Sequence, residues 1–149
     1  MVDSRARRVA SQLLRDFFDG KITNDEYNDQ FPDSSADSGL QVVYRRIWIS
    51  YSDLHSHYLD RGALSQEDHA LFGRCIAFLR TDLEYEGEPI GIRLPLSQIF
   101  GGFLGRNDQP LTILGTKSME ASGFFSDFWP FISEAQHTEV LQNLDSSSQ

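Results

Sequence analysis

Three residues near the middle of the chain have the types and the spacing of metal ligands. Asp53, His55 and His57 form the pattern D-x-H-x-H, and carboxylate and imidazole groups together can hold zinc or manganese. On a β-strand, side chains two residues apart point to the same face, so both histidines could reach one ion. A metal site at this position therefore requires an extended segment.

The surrounding residues predict a helix instead. Apolar side chains recur at three- and four-residue spacing from Leu40 to Leu59, and Gly62 follows as a helix terminator. Helical residues two apart are separated by about 200° around the axis, so the two histidines would point in opposite directions. The metal-dependent hydrolases that the motif resembles place both histidines after a strand and need further histidines. We therefore interpret His55 as packed in the core or a helix interface, and His57 as paired with Asp53 in solvent.

Composition limits the classes of protein and partner. The 149 residues fit one domain, and 40% hydrophobic with 12% aromatic residues predict a packed globule. A formal charge of −9 disfavours nucleic acid and anionic lipid as partners and suits a basic protein or a cationic ligand, although solubility alone would also explain it. Cys75 is the only cysteine, which excludes an internal disulfide, and its apolar neighbours indicate a buried, inert thiol.

The sequence shows neither the pattern of a signal peptide nor that of a membrane-spanning segment. The first 14 residues contain arginines but no continuous apolar stretch. The longest apolar runs, such as residues 75–79, are far shorter than the roughly 20 residues that span a bilayer. The sequence therefore predicts a cytoplasmic protein that does not bind a membrane.

The remaining pattern predicts a mainly α fold, a single-domain helical bundle over residues 1–144 with a disordered tail at 145–149. An irregular carboxy-terminal part could hold a short β-hairpin. Residues 84–96 and 109–115 could each hold a short strand, although Pro89 and Pro95 limit any pairing to an edge. Besides 40–59, apolar periods and caps predict four helices: Ser4–Asp19, a short helix from the Thr23/Glu26 capping box to just before Pro32, one from Ser65 to Arg80 or Thr81, and one from the Ser133/Gln136 box to Leu144.

An alternating acidic run is the most informative polar stretch. Asp82, Glu84, Glu86 and Glu88 are separated by single uncharged residues, so an extended segment would place all four carboxylates on one face. Such a face could receive a basic partner, with Tyr85 contributing apolar contact area, or a hard cation such as calcium or magnesium. A solvated loop is the simpler alternative.

Two further clusters have structural interpretations. Three arginines within residues 5–8 could contact nucleic acid, but charged residues on one turn of an amphipathic helix usually serve solvation. The aromatic residues at 124–131 could anchor a partner, but most such clusters are core. The acids between Asp16 and Asp37, seven against one lysine, could extend the negative field of the acidic run.

Four segments together resemble small bacterial proteins of unassigned function. They are ITNDEY at residues 22–27, W…YSD…H at 48–57, the stretch at 74–86 that ends in TDLEYE, and WPF at 129–131. The resemblance implies a bacterial, cytosolic origin and supplies no activity, cofactor or catalytic residue.

Two function classes remain. The preferred one is a non-enzymatic acidic module, of the regulator or toxin-neutralising kind, that binds a basic protein through Asp82, Glu84, Tyr85, Glu86 and Glu88. The alternative is a metal-dependent enzyme or metal-binding protein whose site converges from His69, His137 and the carboxylates at 82–88. No catalytic residue, metal ligand or cofactor is assigned from the sequence, because no catalytic motif is assembled.

Overall fold

A computed structural model describes residues 1–33, 36–52, 54–87 and 126–146. Of the suggested strands, residues 88–96 and 109–115 lie outside these ranges, whereas residues 84–87 are described and form no strand. Asp53, Phe124, Phe125 and the last three residues also lie outside. The described part is mainly α, as the sequence predicts. It holds five α-helices and one 3-10 turn at Arg61–Ala63: α1 (Ser4–Phe18), α2 (Asn24–Gln30), α3 (Ser38–Trp48), α4 (Gln66–Leu79) and α5 (Glu134–Ser146).

Local capping explains where three of the helices begin. Thr23 and Glu26 form both hydrogen bonds of a capping box at α2, and Ser65 and Asp68 do the same at α4. At α5, Ser133 Oγ accepts from the backbone N–H of Gln136, while the Gln136 side chain accepts from Ile132 instead of returning to Ser133. The predicted starts of these helices are confirmed.

The helix ends agree less uniformly with the sequence. α1 ends at Phe18, and Gly20 follows with a φ of 67°, a left-handed conformation that suits glycine. α4 ends at Leu79 with Arg80 as its C-cap, where the prediction placed it. α5 continues to Ser146, two residues beyond the predicted Leu144.

The predicted helix from Leu40 to Leu59 is wrong in its second half, because α3 ends at Trp48. The Ser50 hydroxyl donates to the carbonyl of Arg46, and such local bonds compete with helix continuation. The decisive contacts come from α2. The Asn24 side chain accepts from the backbone N–H of His57 at 2.7 Å and donates to the carbonyl of His55 at 3.3 Å, and the Asn24 N–H donates to the His57 carbonyl at 3.0 Å.

The core lies between α1 and α4, with α2, α3 and α5 packed around this pair. Phe17 is fully buried, with its ring stacked on Tyr27 and tilted against Phe72. Trp129 and Phe131 are each 3% exposed, so these two carboxy-terminal aromatics are core, as interpreted. None of the helices in the described ranges is long and apolar enough to cross a membrane.

Cys75 lies fully buried on α4, and burial raises the pKa of its thiol to about 12 despite the opposing fields of Arg46 and Arg74. Because the thiolate is the reactive form, we expect labelling by a thiol reagent at pH 8 to be slow in the native protein and fast in denaturant. The measurement is the labelling rate as a function of urea. Native labelling as fast as in the denatured chain would contradict the burial of this face.

Candidate functional site

The acidic run forms a surface that we call the acidic strip, residues 82–87. Exposure alternates along it: Asp82, Glu84 and Glu86 are exposed, whereas the intervening residues are half-buried. This is the alternation that the sequence predicts for an extended segment. Three carboxylates therefore face solvent from one short stretch, and Glu88 lies outside the described residues.

Arg7 fixes the backbone at the start of the strip. Its side chain is 1% exposed. Its Nη1 donates to the carbonyls of Leu83 at 2.7 Å and Thr81 at 3.2 Å. The interpretation of the arginines at 5–8 as a solvated face is therefore wrong for Arg7, whereas Arg5 and Arg8 are exposed as expected.

The other side of the same guanidinium pairs with a buried carboxylate. Arg7 Nε and Nη2 donate to the two oxygens of Asp37 at 2.7 and 2.8 Å, in a bidentate pair that is 1% exposed on each side. Asp37 also accepts from the backbone N–H of Asp3 at 2.9 Å and of Leu40 at 3.1 Å, which caps α3. One ion pair thus joins α1, α3 and the acidic strip.

The Arg7–Asp37 pair sets the ionisation of its carboxylate. Burial alone would raise the pKa of Asp37, but the hydrogen bonds from Arg7 and from the backbone N–H groups of Asp3 and Leu40 outweigh it, so the pKa of Asp37 is lowered. The expectation that all acids between Asp16 and Asp37 add to the exposed negative field is wrong for Asp37, because its charge is buried and neutralised.

The three strip carboxylates differ in their local contacts. Asp82 accepts a short hydrogen bond from the hydroxyl of Ser4. Glu84 lies 3.3 Å from the amino group of Met1, but both groups are largely exposed, and exposed pairs contribute little. Glu86 has no ion-pair partner among the residues that the structure describes. Glu84 and Glu86 are therefore the carboxylates most available to another molecule.

Tyr85 is turned toward its own domain. Its ring packs edge-on against buried Trp129, with centroids 6.4 Å apart, and Trp129 Nε1 donates to the Tyr85 hydroxyl at 3.3 Å. Burial raises the pKa of Tyr85, and the hydrogen bond from Trp129 opposes the shift in part. Arg74 Nε donates a hydrogen bond to the carbonyl of Trp129 at 2.8 Å. Tyr85 therefore secures the strip and offers only part of its ring to a partner.

The groups suggested for a converging metal site lie in different surroundings. His69 Nε2 donates a 2.9 Å hydrogen bond to the carbonyl of Arg61, and its ring packs edge-on against Phe18. His137 stacks on Phe131 at 4.9 Å, and burial together with nearby Arg74 lowers the pKa of His137. Within the described ranges, no three metal-ligating side chains are grouped to hold an ion.

Residues 54–57, the described part of the D-x-H-x-H segment, belong to neither a helix nor a strand. His55 is exposed, so its interpretation as a core residue is wrong. The His57 ring lies near Tyr51, with centroids 6.3 Å apart, and its Nδ1 is 2.9 Å from the carbonyl of His55. The suggested pair of His57 with Asp53 falls outside the described residues. The reason given for separating the two histidines, a shared helix, does not apply to this segment.

Pockets on the described surface lie away from these groups. An open cleft of about 590 Å³ lies beside the start of α4, and its lining carries both signs of charge: Arg46 and Arg74, and Glu67, Asp68 and Asp127. A smaller pocket of about 210 Å³ lies between the end of α2 and the start of α3. Neither is lined by the histidines or the strip carboxylates suggested as an alternative site.

The fold and the strip define a mainly α protein with a fixed, exposed acidic segment. No protein-family model, no curated protein and no solved structure matches the chain.

Proposed function

We propose that the chain is a non-enzymatic protein-binding module of the regulator or toxin-neutralising kind, that it acts on a basic protein in the cytoplasm, and that the acidic strip is its contact surface. The observation that carries the proposal is the combination of exposed carboxylates with a buried anchor. Glu84 and Glu86 face solvent on a segment whose backbone Arg7 holds at Thr81 and Leu83.

A fixed acidic strip suits the recognition of a basic surface for two physical reasons. A segment whose backbone is already held loses less conformational freedom on binding, so less of the interaction energy is spent on ordering it. The formal charge of −9 also attracts a positively charged partner over distances of about 10 Å at ordinary salt, which raises the association rate. The strip would thus first raise the rate at which the partner is encountered and then help to orient the bound partner.

The test reverses the two most available charges. Glu84→Lys combined with Glu86→Lys should slow association with the native partner about tenfold, because steering depends on the local field. Wild type and variant are immobilised and incubated with lysate of the source organism at low and high salt, and bound proteins are quantified. We expect at least one basic protein whose recovery falls with the variant and with added salt.

The matched control is Glu139→Lys combined with Asp145→Lys, which changes the net charge equally at exposed positions on α5. Recovery of the same protein should be reduced much less by this control. Equal recovery with both double variants would remove the strip as the binding face. Recovery of no protein under any condition would contradict the binding module itself.

A further inference from the structure

The small pocket between α2 and α3 has the size of a single side chain. Its volume is about 210 Å³, it is open to solvent, and Phe31, Asp33 and Tyr44 are among its lining residues. Pockets that hold drug-sized ligands occupy roughly 300–1,000 Å³. The space is therefore too small for a typical cofactor and large enough for one long side chain.

Aromatic rings form two of its walls. The rings of Phe31 and Tyr44 have centroids 4.7 Å apart and are inclined by 43°. Tyr27, which is fully buried, packs against Phe31 at 5.4 Å and against Tyr44 at 6.2 Å. Because these contacts hold both walls, the aromatic surface exists before a ligand arrives. Aromatic faces attract cations, and a planar guanidinium also stacks on them.

The polar groups of the pocket suit a ligand that has both a positive charge and a carbonyl group close to that charge. Asn28 Oδ1 accepts hydrogen bonds from the hydroxyls of Tyr51 at 2.8 Å and Tyr44 at 3.3 Å, which orient the amide. The Nδ2 protons of Asn28 have no acceptor within the described residues. The carboxylate of Asp33 is exposed and forms no ion pair there. The pocket thus offers two donors and one anionic acceptor.

The charge of the lining is negative. Among the described lining residues, Asp33 is the one carboxylate, and none is a Lys, Arg or His. A ligand with a positive charge would therefore meet no opposing cation in the lining. A carboxylate or phosphate ligand would instead be repelled by the carboxylate of Asp33.

We infer that this pocket receives one arginine side chain of the basic partner, with its guanidinium on the Phe31 and Tyr44 rings and against Asp33, and the peptide carbonyl on the Asn28 amide. The inference rests on the proposed function only in taking the partner to be a basic protein. It adds a specific contact to the long-range attraction of the acidic strip. A site of aromatic rings and a carboxylate for one arginine would fix where the partner sits on the surface. Exposed charges alone do not fix that position.

The probe is N-acetyl-arginine N-methylamide, titrated into the full chain and followed by the amide resonances of isotope-labelled protein. We expect saturable shifts centred on Asn28, Asp33 and Tyr44. The same compound with citrulline in place of arginine keeps the shape and removes the charge, and it should bind roughly tenfold more weakly because the ion pair and the cation–π contact are both lost. Asp33→Asn should weaken the arginine probe about twofold to fivefold.

Asp29→Asn is the matched control, because Asp29 is exposed on the same helix and does not line the pocket. It should leave the affinity for the probe unchanged, as should Glu84→Lys combined with Glu86→Lys. Equal binding of the citrulline compound, equal loss with Asp29→Asn, or shifts confined to other surfaces would overturn the inference. Because the probe needs no native partner, its failure is distinguishable from failure of the strip to recruit one.

Discussion

Replacing Arg7 by methionine should lower the free energy of unfolding by about 3–5 kcal/mol, the cost typical of removing one partner from a buried ion pair. The reason is that Asp37 would remain buried as an uncompensated charge, and the carbonyls of Thr81 and Leu83 would lose their donor. Urea denaturation monitored by circular dichroism measures the change. Such a loss is a large share of the roughly 5–15 kcal/mol that stabilises an ordinary domain.

Arg8→Met is the matched control, because Arg8 is an exposed arginine on the same helix and its replacement should change stability by less than about 0.5 kcal/mol. Arg7→Met combined with Asp37→Asn should be less destabilising than the sum of the two single variants, since the double variant leaves no buried charge. Equal effects of Arg7→Met and Arg8→Met would contradict the role assigned to the pair.

The same pair predicts a loss of stability in acid. Since folding lowers the pKa of Asp37, the unfolded chain binds its proton more readily than the folded protein does. The stabilisation from ionised Asp37 is fully present above the ordinary aspartate pKa of about 3.9 and is lost as the pH falls through the folded value. The stability of Asp37→Asn should therefore fall less steeply with acid than that of wild type over this range.

The second large effect is expected at Asn24, whose replacement by alanine should cost about 1–3 kcal/mol. Asn24 is fully buried, and its side chain serves the backbone N–H of His57 and the carbonyl of His55. Alanine would remove both bonds and leave the His57 N–H without its acceptor. Hydrogen exchange should accelerate at His57, and urea denaturation gives the overall loss.

Gln30→Ala is the control for this change, because Gln30 is exposed at the other end of α2. It should leave exchange at His57 unchanged. If Asn24→Ala also left His57 protected, the segment after α3 would be held by contacts other than the Asn24 side chain.

The features that could be predicted from sequence are those with local causes. Capping boxes involve residues three apart, so the starts of α2 and α4 follow from Thr23 and Ser65 directly. The alternating exposure of the acidic strip likewise follows from a period of two residues. These patterns need no knowledge of the rest of the chain.

The errors arise where a distant residue decides the outcome. The apolar period continues past Trp48, but hydrogen bonds from Asn24, more than 30 positions earlier, favour a non-helical path. Arg7 had a detectable signal, because it precedes buried Ala10, Leu14 and Phe17 at helical spacing and so lies on the apolar stripe. A charged residue on such a stripe indicates a buried partner, and Asp37, which lies between two predicted helices, supplies it.

The central claim is that the acidic strip touches a basic partner, and zero-length carbodiimide cross-linking tests that contact directly. The reagent joins a carboxylate to a lysine amine, and residues 81–93 form one tryptic peptide that contains Glu84, Glu86 and Glu88. The chain itself has only two lysines, Lys21 and Lys117, so links from this peptide to lysines of another protein are readily assigned. We expect such links in lysate, weakening as salt is added. Links to a partner that come only from other carboxylates, such as Asp29 or Glu139, would contradict the claim.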